Sequence, residues 1–188
     1  MTQLGFFIDL TKCTGCQTCT VACKDAHNLE VGRNFRKVLE AESGTWKQDR
    51  ATGAWHQDVR AYYVSISCNH CADPACVKVC PTEASHVAED GSIQIDKEKC
   101  IGCKYCMAAC PYGARIVQEK TGVVEKCRFC WDGEKPGNPP ACVGTCISGA
   151  RIFGDLDDPD SEINQAIAKY HAQPLADNLT VSKIYYVR

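Results

Sequence analysis

Sixteen cysteines determine the chemistry open to this 188-residue chain, because a density of thiols this high requires a bonding partner for nearly every sulfur. They fall into four groups of four with none left over: Cys13, Cys16, Cys19 and Cys23; Cys68, Cys71, Cys76 and Cys80; Cys100, Cys103, Cys106 and Cys110; Cys127, Cys130, Cys142 and Cys146. Each group opens with C-x2-C and closes with C-x3-C, and only the middle spacing varies, from two residues to four to eleven. The pattern indicates a repeated set of metal ligands.

The spacing favours iron–sulfur clusters. Residues Cys100 to Pro111 match the bacterial run C-x2-C-x2-C-x3-C-P, in which three cysteines bind one 4Fe-4S cluster and the fourth binds the other. Residues Cys13 to Cys23 follow the same run, with Lys24 in place of the proline. C-x2-C pairs are also typical of zinc sites, but a zinc site has little use for a third cysteine at this spacing. Disulfides are favoured less, since MTQLGFFID leaves no room for a secretory signal ahead of the first group.

Nesting of the groups predicts which cysteines share a cluster. The second and third groups are adjacent, 19 residues apart, so we expect them to form one interlocked pair and the first and fourth groups to form the other. Four 4Fe-4S clusters follow from this pairing, with these ligand sets: Cys13, Cys16, Cys19 and Cys146; Cys127, Cys130, Cys142 and Cys23; Cys68, Cys71, Cys76 and Cys110; Cys100, Cys103, Cys106 and Cys80.

The predicted fold class is α+β, with two interlocked bacterial ferredoxin-like units, each holding two 4Fe-4S clusters, built from short β-hairpins and short helices. Residues 1–23 with 111–155 form the first unit, and residues 68–110 form the second. Residues 24–67 are an insertion that we expect to dock a partner, and residues 156–188 are a C-terminal helix and strand extension. An internal repeat supports the duplication, because Asp9 and Asp96 each lie four residues before the first cysteine of a group.

Short β-branched and aromatic runs near glycines predict strands at Phe6 to Asp9, Ala61 to Ser67, Ile93 to Ile95, Val123 to Glu125 and Val181 to Val187. Helices are predicted over Thr18 to His27, over Lys104 to Cys110 and from an N-cap at Ser161. Gly133 to Pro140 is predicted to be a loop.

Several other residues have two interpretations. His70 lies between two cysteines and is interpreted as a structural residue rather than a ligand. Trp46 and Trp55 are either core residues or anchors for a partner. Four lysines beside ligands either raise cluster potentials or are ordinary solvated side chains: Lys24, Lys78, Lys104 and Lys126.

Composition excludes several functions. The net charge is −2, from 21 basic and 23 acidic residues, which argues against nucleic-acid binding through bulk positive charge. No nucleotide-binding glycine motif is present, and no apolar run approaches the ~20 residues of a membrane span.

Three segments of the sequence resemble the four-cluster electron-transfer B subunits of the dimethyl sulfoxide reductase family of molybdenum enzymes. They are GFFIDLTKCTGCQTCTVACKD, AYYVSISCNHCADPACVKVCP and CIGCKYCMAACPYGA. Some relatives have tryptophan and a 3Fe-4S centre where this chain has Cys103, so the resemblance implies four 4Fe-4S clusters. The fourth group departs from the family in having Ile147 where proline often follows the last cysteine.

The resemblance implies a non-catalytic subunit that relays electrons from a quinol-oxidising membrane anchor to a molybdopterin (bis-MGD) catalytic subunit that reduces dimethyl sulfoxide or a similar acceptor. It implies a membrane-associated complex on the periplasmic face, reached by co-export with the catalytic subunit, with a cytoplasmic face as the alternative. Other candidates are the same role in a polysulfide, thiosulfate, tetrathionate, selenate or arsenate reductase or a formate dehydrogenase, a free soluble polyferredoxin, and a zinc-holding module.

Overall fold

The computed structural model describes residues 3–130, 138–175 and 180–188. These residues form short strands and helices joined by long connections. The strands are β1 Leu4–Asp9, β2 Arg36–Ser43, β3 Trp46–Gln48, β4 Trp55–Gln57, β5 Arg60–Ser67, β6 Ser85–Val87, β7 Ile93–Ile95, β8 Ile116–Val117, β9 Val124–Glu125, β10 Arg151–Asp155 and β11 Ile184–Val187. The helices are α1 Thr18–Ala26, α2 Ala75–Lys78, α3 Tyr105–Ala108, α4 Ala141–Gly144 and α5 Glu162–Tyr170.

A three-stranded sheet brings the two ends of the chain together. Its central strand β1 pairs antiparallel with β10, where Phe6 lies opposite Phe153, and parallel with β11, where Phe6 lies opposite Ile184. This sheet places the segment before the first cysteine group beside the segment after the fourth.

The apolar run of β1 is buried on both faces of this sheet, which is why it reads as a continuous run rather than an alternation. Phe6 contacts Phe129 edge to face, with ring centroids 5.2 Å apart. Phe7, on the opposite face, packs with Ile163 and Ala166 of α5. Strand β1 therefore separates the core that contains buried cysteines from the smaller core beneath α5.

The remaining strands form two-stranded hairpins. The hairpin of β6 and β7 connects the second and third cysteine groups, and that of β8 and β9 connects the third and fourth. The insertion holds the long pair of β2 and β5, with the small hairpin of β3 and β4 at its tip. The prediction of a mixed fold with short hairpins and short helices agrees with these elements.

The predicted elements are present, most with shifted boundaries. The helix predicted to end at His27 ends at Ala26, and the one predicted over Lys104 to Cys110 is the single turn α3. The last strand begins at Ile184 rather than at Val181. The predicted loop at Gly133 to Pro140 lies outside the described residues as far as residue 137.

Helix α5 begins where the sequence predicts. The Ser161 hydroxyl accepts a hydrogen bond of 3.4 Å from the Asn164 amide, and Glu162 lies in the first turn. Within the described ranges, no helix has both the length and the apolar character needed to cross a bilayer.

Candidate iron–sulfur sites

Four thiols line a cavity between the second and third cysteine groups. Three of them, Cys68, Cys71 and Cys76, belong to the second group, and the other, Cys110, belongs to the third. Burial, together with the charges of the neighbouring Cys68 and Cys76 thiolates, raises the pKa of Cys71 to about 11 against opposing hydrogen bonds. A site that holds several thiolates in this environment needs a cation to stabilise them.

In a second cavity, the two groups exchange their contributions. Cys100, Cys103 and Cys106 of the third group line it together with Cys80 of the second. The exchange arises because helices α2 and α3, each ending shortly before its group's last cysteine, pack against each other. Each last cysteine therefore reaches the cavity of the other group. In the described ranges, no three His, Cys, Asp or Glu side chains converge tightly enough to bind a single metal ion.

The first and fourth groups are brought together in a similar way. Helix α1, which carries Cys19 and Cys23, packs against α4, which carries Cys142. Burial, followed by the charge of Cys127, raises the pKa of Cys23 to about 12, and the charges of Cys142 and Cys130 act in the same direction. Cys23 therefore lies among three cysteines of the fourth group.

The third position of the C-x-x-C loop has a left-handed backbone in the first and third groups. Its φ is +69° at Gly15 and +68° at Gly102, where glycine adopts it without strain. A Cβ at Gly102 would come 2.6 Å from the Gly122 carbonyl oxygen, and one at Gly15 would come 2.5 Å from the Tyr63 ring. Close packing and backbone conformation both explain the glycine in CTGC and CIGC.

His70 and Phe129 occupy the same loop position in the second and fourth groups. Their φ values are +42° and +58°, which is unfavourable for residues with a side chain. The two rings stack with centroids 3.5 Å apart and an interplanar angle of 17°, and both are fully buried. This stack fastens the loop of the second cysteine group to the loop of the fourth.

The hydrogen bonds of His70 support its interpretation as a structural residue. Its Nδ1 accepts from the Ile93 amide at 3.1 Å, so its Nε2 donates to the Cys127 carbonyl, also at 3.1 Å. Burial, followed by the charge of Lys126, lowers the pKa of His70 well below its usual value. The imidazole is therefore neutral, and backbone groups use both of its nitrogens.

The four lysines beside the ligands differ in environment. Lys126 is fully buried and donates to the carbonyls of Ile93 and Cys127, and its pKa is lowered by burial against the thiolates of Cys68 and Cys127. Lys24 donates to two backbone carbonyls, Lys78 pairs with Asp73, and Lys104 is exposed. Of the lysines considered, Lys126 is the one with the burial needed to influence a cluster strongly.

Buried guanidinium groups beside the thiols test whether an iron–sulfur cluster fits these sites. In Arg36, Arg115 and Arg151, one terminal nitrogen is buried without a hydrogen-bond acceptor among the residues that the structure describes. Orphaned buried donors are costly, and an anionic cluster with sulfide acceptors satisfies them. The thiols and these donors together fit 4Fe-4S clusters.

Comparisons with known proteins agree with this chemistry. Residues 59–156 match the 4Fe-4S dicluster domain family, and residues 4–25 match a 4Fe-4S binding domain family. The sequence is 51% identical to the B chain of the anaerobic dimethyl sulfoxide reductase of Escherichia coli over 157 residues, which cover 84% of this protein and 76% of that relative. This protein belongs to the iron–sulfur B-subunit family of dimethyl sulfoxide reductases.

Less similar relatives come from an archaeon and from another type of reductase. A putative dimethyl sulfoxide reductase iron–sulfur B subunit of Halobacterium salinarum is 38% identical over all of this chain and 79% of that protein. The B subunit of the tetrathionate reductase of Salmonella typhimurium is 42% identical over 86% of this chain and 61% of that protein. The chain is therefore a 4Fe-4S electron-transfer subunit of a reductase complex and not its catalytic subunit.

The buried arginines were not predicted from the sequence, although a signal for two of them is present there. Arg115 and Arg151 both follow a Gly-Ala pair at the fifth position after the last cysteine of a group. The two groups therefore share the pattern C-x-x-G-A-R from their last cysteine to the arginine. Arg36 carries no such signal, because it lies in the insertion.

Proposed function

We propose that the chain holds four 4Fe-4S clusters and relays single electrons between a quinol-oxidising membrane anchor and a molybdopterin catalytic subunit that reduces dimethyl sulfoxide or a similar acceptor. The observation that carries this proposal is the pair of cavities in which three cysteines of one group meet the last cysteine of the other. The sequence similarity to the B chains of dimethyl sulfoxide reductases supports the choice of acceptor.

The proposed ligand sets follow the interlocking of the groups. Cys68, Cys71, Cys76 and Cys110 hold one cluster, and Cys100, Cys103, Cys106 and Cys80 hold the second. Cys127, Cys130, Cys142 and Cys23 hold the third, and the packing of α1 against α4 leaves Cys13, Cys16, Cys19 and Cys146 for the fourth. These sets divide the chain into the two ferredoxin-like units, residues 1–23 with 111–155 and residues 68–110.

Complete thiolate ligation gives the chain the role of a conductor rather than a catalyst. When bound, the clusters supply one-electron redox chemistry, and no iron has an open position for a substrate. The chain's own residues hold the sites at fixed separations, as the stack of His70 on Phe129 does between the two units. They also exclude water and place fixed charges beside the thiols.

For location, the proposal is a complex on the periplasmic face of the membrane, reached by export together with the catalytic subunit. Protease treatment of intact spheroplasts tests the side. Digestion of the chain without lysis supports the periplasmic face, and protection until lysis establishes the cytoplasmic alternative.

The tip of the insertion is the proposed docking surface for the catalytic subunit. Trp46 and Trp55 are 58% and 60% exposed, and the register of β3 and β4 puts both on one face of the hairpin. Because both side chains are exposed, the interpretation of the two tryptophans as core residues is wrong. Exposed tryptophans are costly in water and are typical anchors of protein interfaces.

We expect the double substitution Trp46→Ala and Trp55→Ala to weaken binding of the catalytic subunit by roughly several hundredfold, because such anchors contribute about 2 kcal/mol each and every ~1.4 kcal/mol is a factor of ten. Affinity purification of the complex through the iron–sulfur subunit measures the retention of that subunit. Val31→Ala, at an exposed apolar residue elsewhere in the insertion, is the matched control. Loss of the membrane anchor with the catalytic subunit retained would assign the hairpin to the other partner.

The function is tested in the complex purified anaerobically after coexpression with the neighbouring genes. Reduction by a quinol analogue is expected to bleach the visible absorption of the clusters, and dimethyl sulfoxide is expected to restore it. If tetrathionate or another acceptor restores the absorption instead, the chain would be assigned to the corresponding reductase. An iron-loaded monomer without molybdenum or a large partner would favour the soluble polyferredoxin.

A further inference from the structure

The arginine at the fifth position after the last cysteine has the same setting beside both pairs of proposed clusters, those of residues 68–110 and those of the first and fourth cysteine groups. Arg115 follows Cys110, and Arg151 follows Cys146. Arg115 and Arg151 are buried, with 4% and 6% of their surface exposed. Each donates a hydrogen bond to a serine hydroxyl, Arg115 to Ser85 at 2.8 Å and Arg151 to Ser65.

Arg115 lies between the two cavities of the second and third cysteine groups. Its side chain lines both cavities, and its Nη2 donates to Cys76 Sγ at 2.7 Å. Burial works to lower the pKa of Arg115, but the thiolates of Cys76, Cys106 and Cys68 raise it above its usual value. Cys76 and Cys68 belong to one proposed ligand set, and Cys106 belongs to the other.

Arg151 has the corresponding position in the other unit. The thiolates that act on it are Cys142 and Cys19, one from each proposed ligand set of that unit. Burial, followed by the positive charge of nearby Arg36, lowers the pKa of Arg151. Thiolates of the same two ligand sets also act on Arg36. The clusters of the first and fourth groups therefore have two buried guanidinium groups beside them, and Arg115 is the simpler of the two repeated arginines to test.

No carboxylate among the described residues forms an ion pair with Arg115 or Arg151. The contrast is Arg33, also buried, whose guanidinium lies 2.5 Å from Glu125. A buried cation without a partner is strongly destabilising, so the counter-charge must come from the thiolate sites on either side.

We propose that each of these arginines is a counter-charge shared by the two clusters on either side of it and raises the reduction potential of both: for Arg115 these are the clusters of the second and third groups, and for Arg151 those of the first and fourth. This inference rests on the proposed function, since it needs clusters at the four sites. One electron enters a cluster without any bond forming or breaking, and the cluster becomes more negative by one charge. A fixed positive charge stabilises that reduced form more than the oxidised one.

The test is Arg115→Gln, which keeps an amide donor for Cys76 and Ser85 and removes the charge, beside Arg115→Lys, which keeps the charge. Both are made in the whole complex, and the midpoint potentials of all clusters are measured by spin resonance during redox titration. In R115Q the midpoint potentials of the clusters of the second and third groups are expected to fall. At a fixed applied potential, the ratio of reduced to oxidised cluster is expected to be about tenfold lower, which corresponds to 59 mV for one electron. In R115K both potentials are expected to stay close to those of the unsubstituted complex. The charge of Lys126 is the same in every variant, so it does not affect the comparison.

The two clusters of the other unit are the internal control, and the mirror variant Arg151→Gln is expected to lower their potentials instead. Four unchanged potentials in R115Q at full iron content overturn the proposal, and so does a change in one potential alone. Equal falls in R115Q and R115K assign the effect to hydrogen-bond geometry rather than charge. Loss of iron from both variants shows a packing role. A complex that binds no iron before any substitution overturns the proposed function itself.

Discussion

Replacing Cys110 with serine is expected to alter the cluster of the second cysteine group and to spare that of its own group. The reason is that Cys110 lines the cavity of Cys68, Cys71 and Cys76. Since one thiolate in four is removed, we expect that cluster to be lost from most molecules or reduced to three irons, with its spin signal replaced accordingly.

The matched variant is Cys106→Ser, which removes a cysteine of the same group only four residues away. Cys106 lines the other cavity, so its substitution is expected to affect the cluster of the third group instead. Spin resonance of both reduced variants, with iron analysis of the same samples, makes the comparison. Identical spectra for C110S and C106S would show that each group binds its own cluster and would contradict the interlocking.

Removal of iron is expected to unfold the ferredoxin-like units. Helices α2, α3 and α4 each have four residues, too few to be stable alone. Without clusters, Arg115 and Lys126 are buried cations with no carboxylate ion pair among the described residues, and Cys127 is a buried thiol whose pKa burial raises to about 11. Binding free energies of ~10 kcal/mol or more for a structural metal site are comparable to the whole stability of a domain.

The measurement is near-ultraviolet circular dichroism before and after oxidative loss of the clusters in a chelator. Loss of the aromatic signal and of protection from proteolysis is expected, and reconstitution with iron and sulfide under reducing conditions is expected to restore both. A near-native spectrum in the iron-free chain would show that apolar packing alone maintains the fold.

The sequence predicted best what depends on local spacing. Cysteines at fixed offsets predicted the 4Fe-4S chemistry that the family matches support, and the apolar run of β1 and the N-cap at Ser161 predicted their elements. The repeat of Asp9 and Asp96 has a local cause as well, because each carboxylate accepts a hydrogen bond of 2.9 Å from the amide two residues further on.

What the sequence did not predict depends on contacts between distant segments. The pairing of β1 with β10 and β11 joins residues far apart in the chain. The stack of His70 on Phe129 places two strained residues against each other across two cysteine groups, and neither residue alone signals this. The burial of Lys126 was equally hidden, because its sequence neighbours do not distinguish it from the exposed Lys104.

The most direct test of the four-cluster relay is the count of iron and acid-labile sulfide in the anaerobically purified complex, with spin quantification after full reduction. About sixteen irons and about sixteen sulfides per chain, with spin intensity of four interacting clusters, are the results that the proposal predicts. About eight irons per chain, or zinc in place of iron, would contradict it.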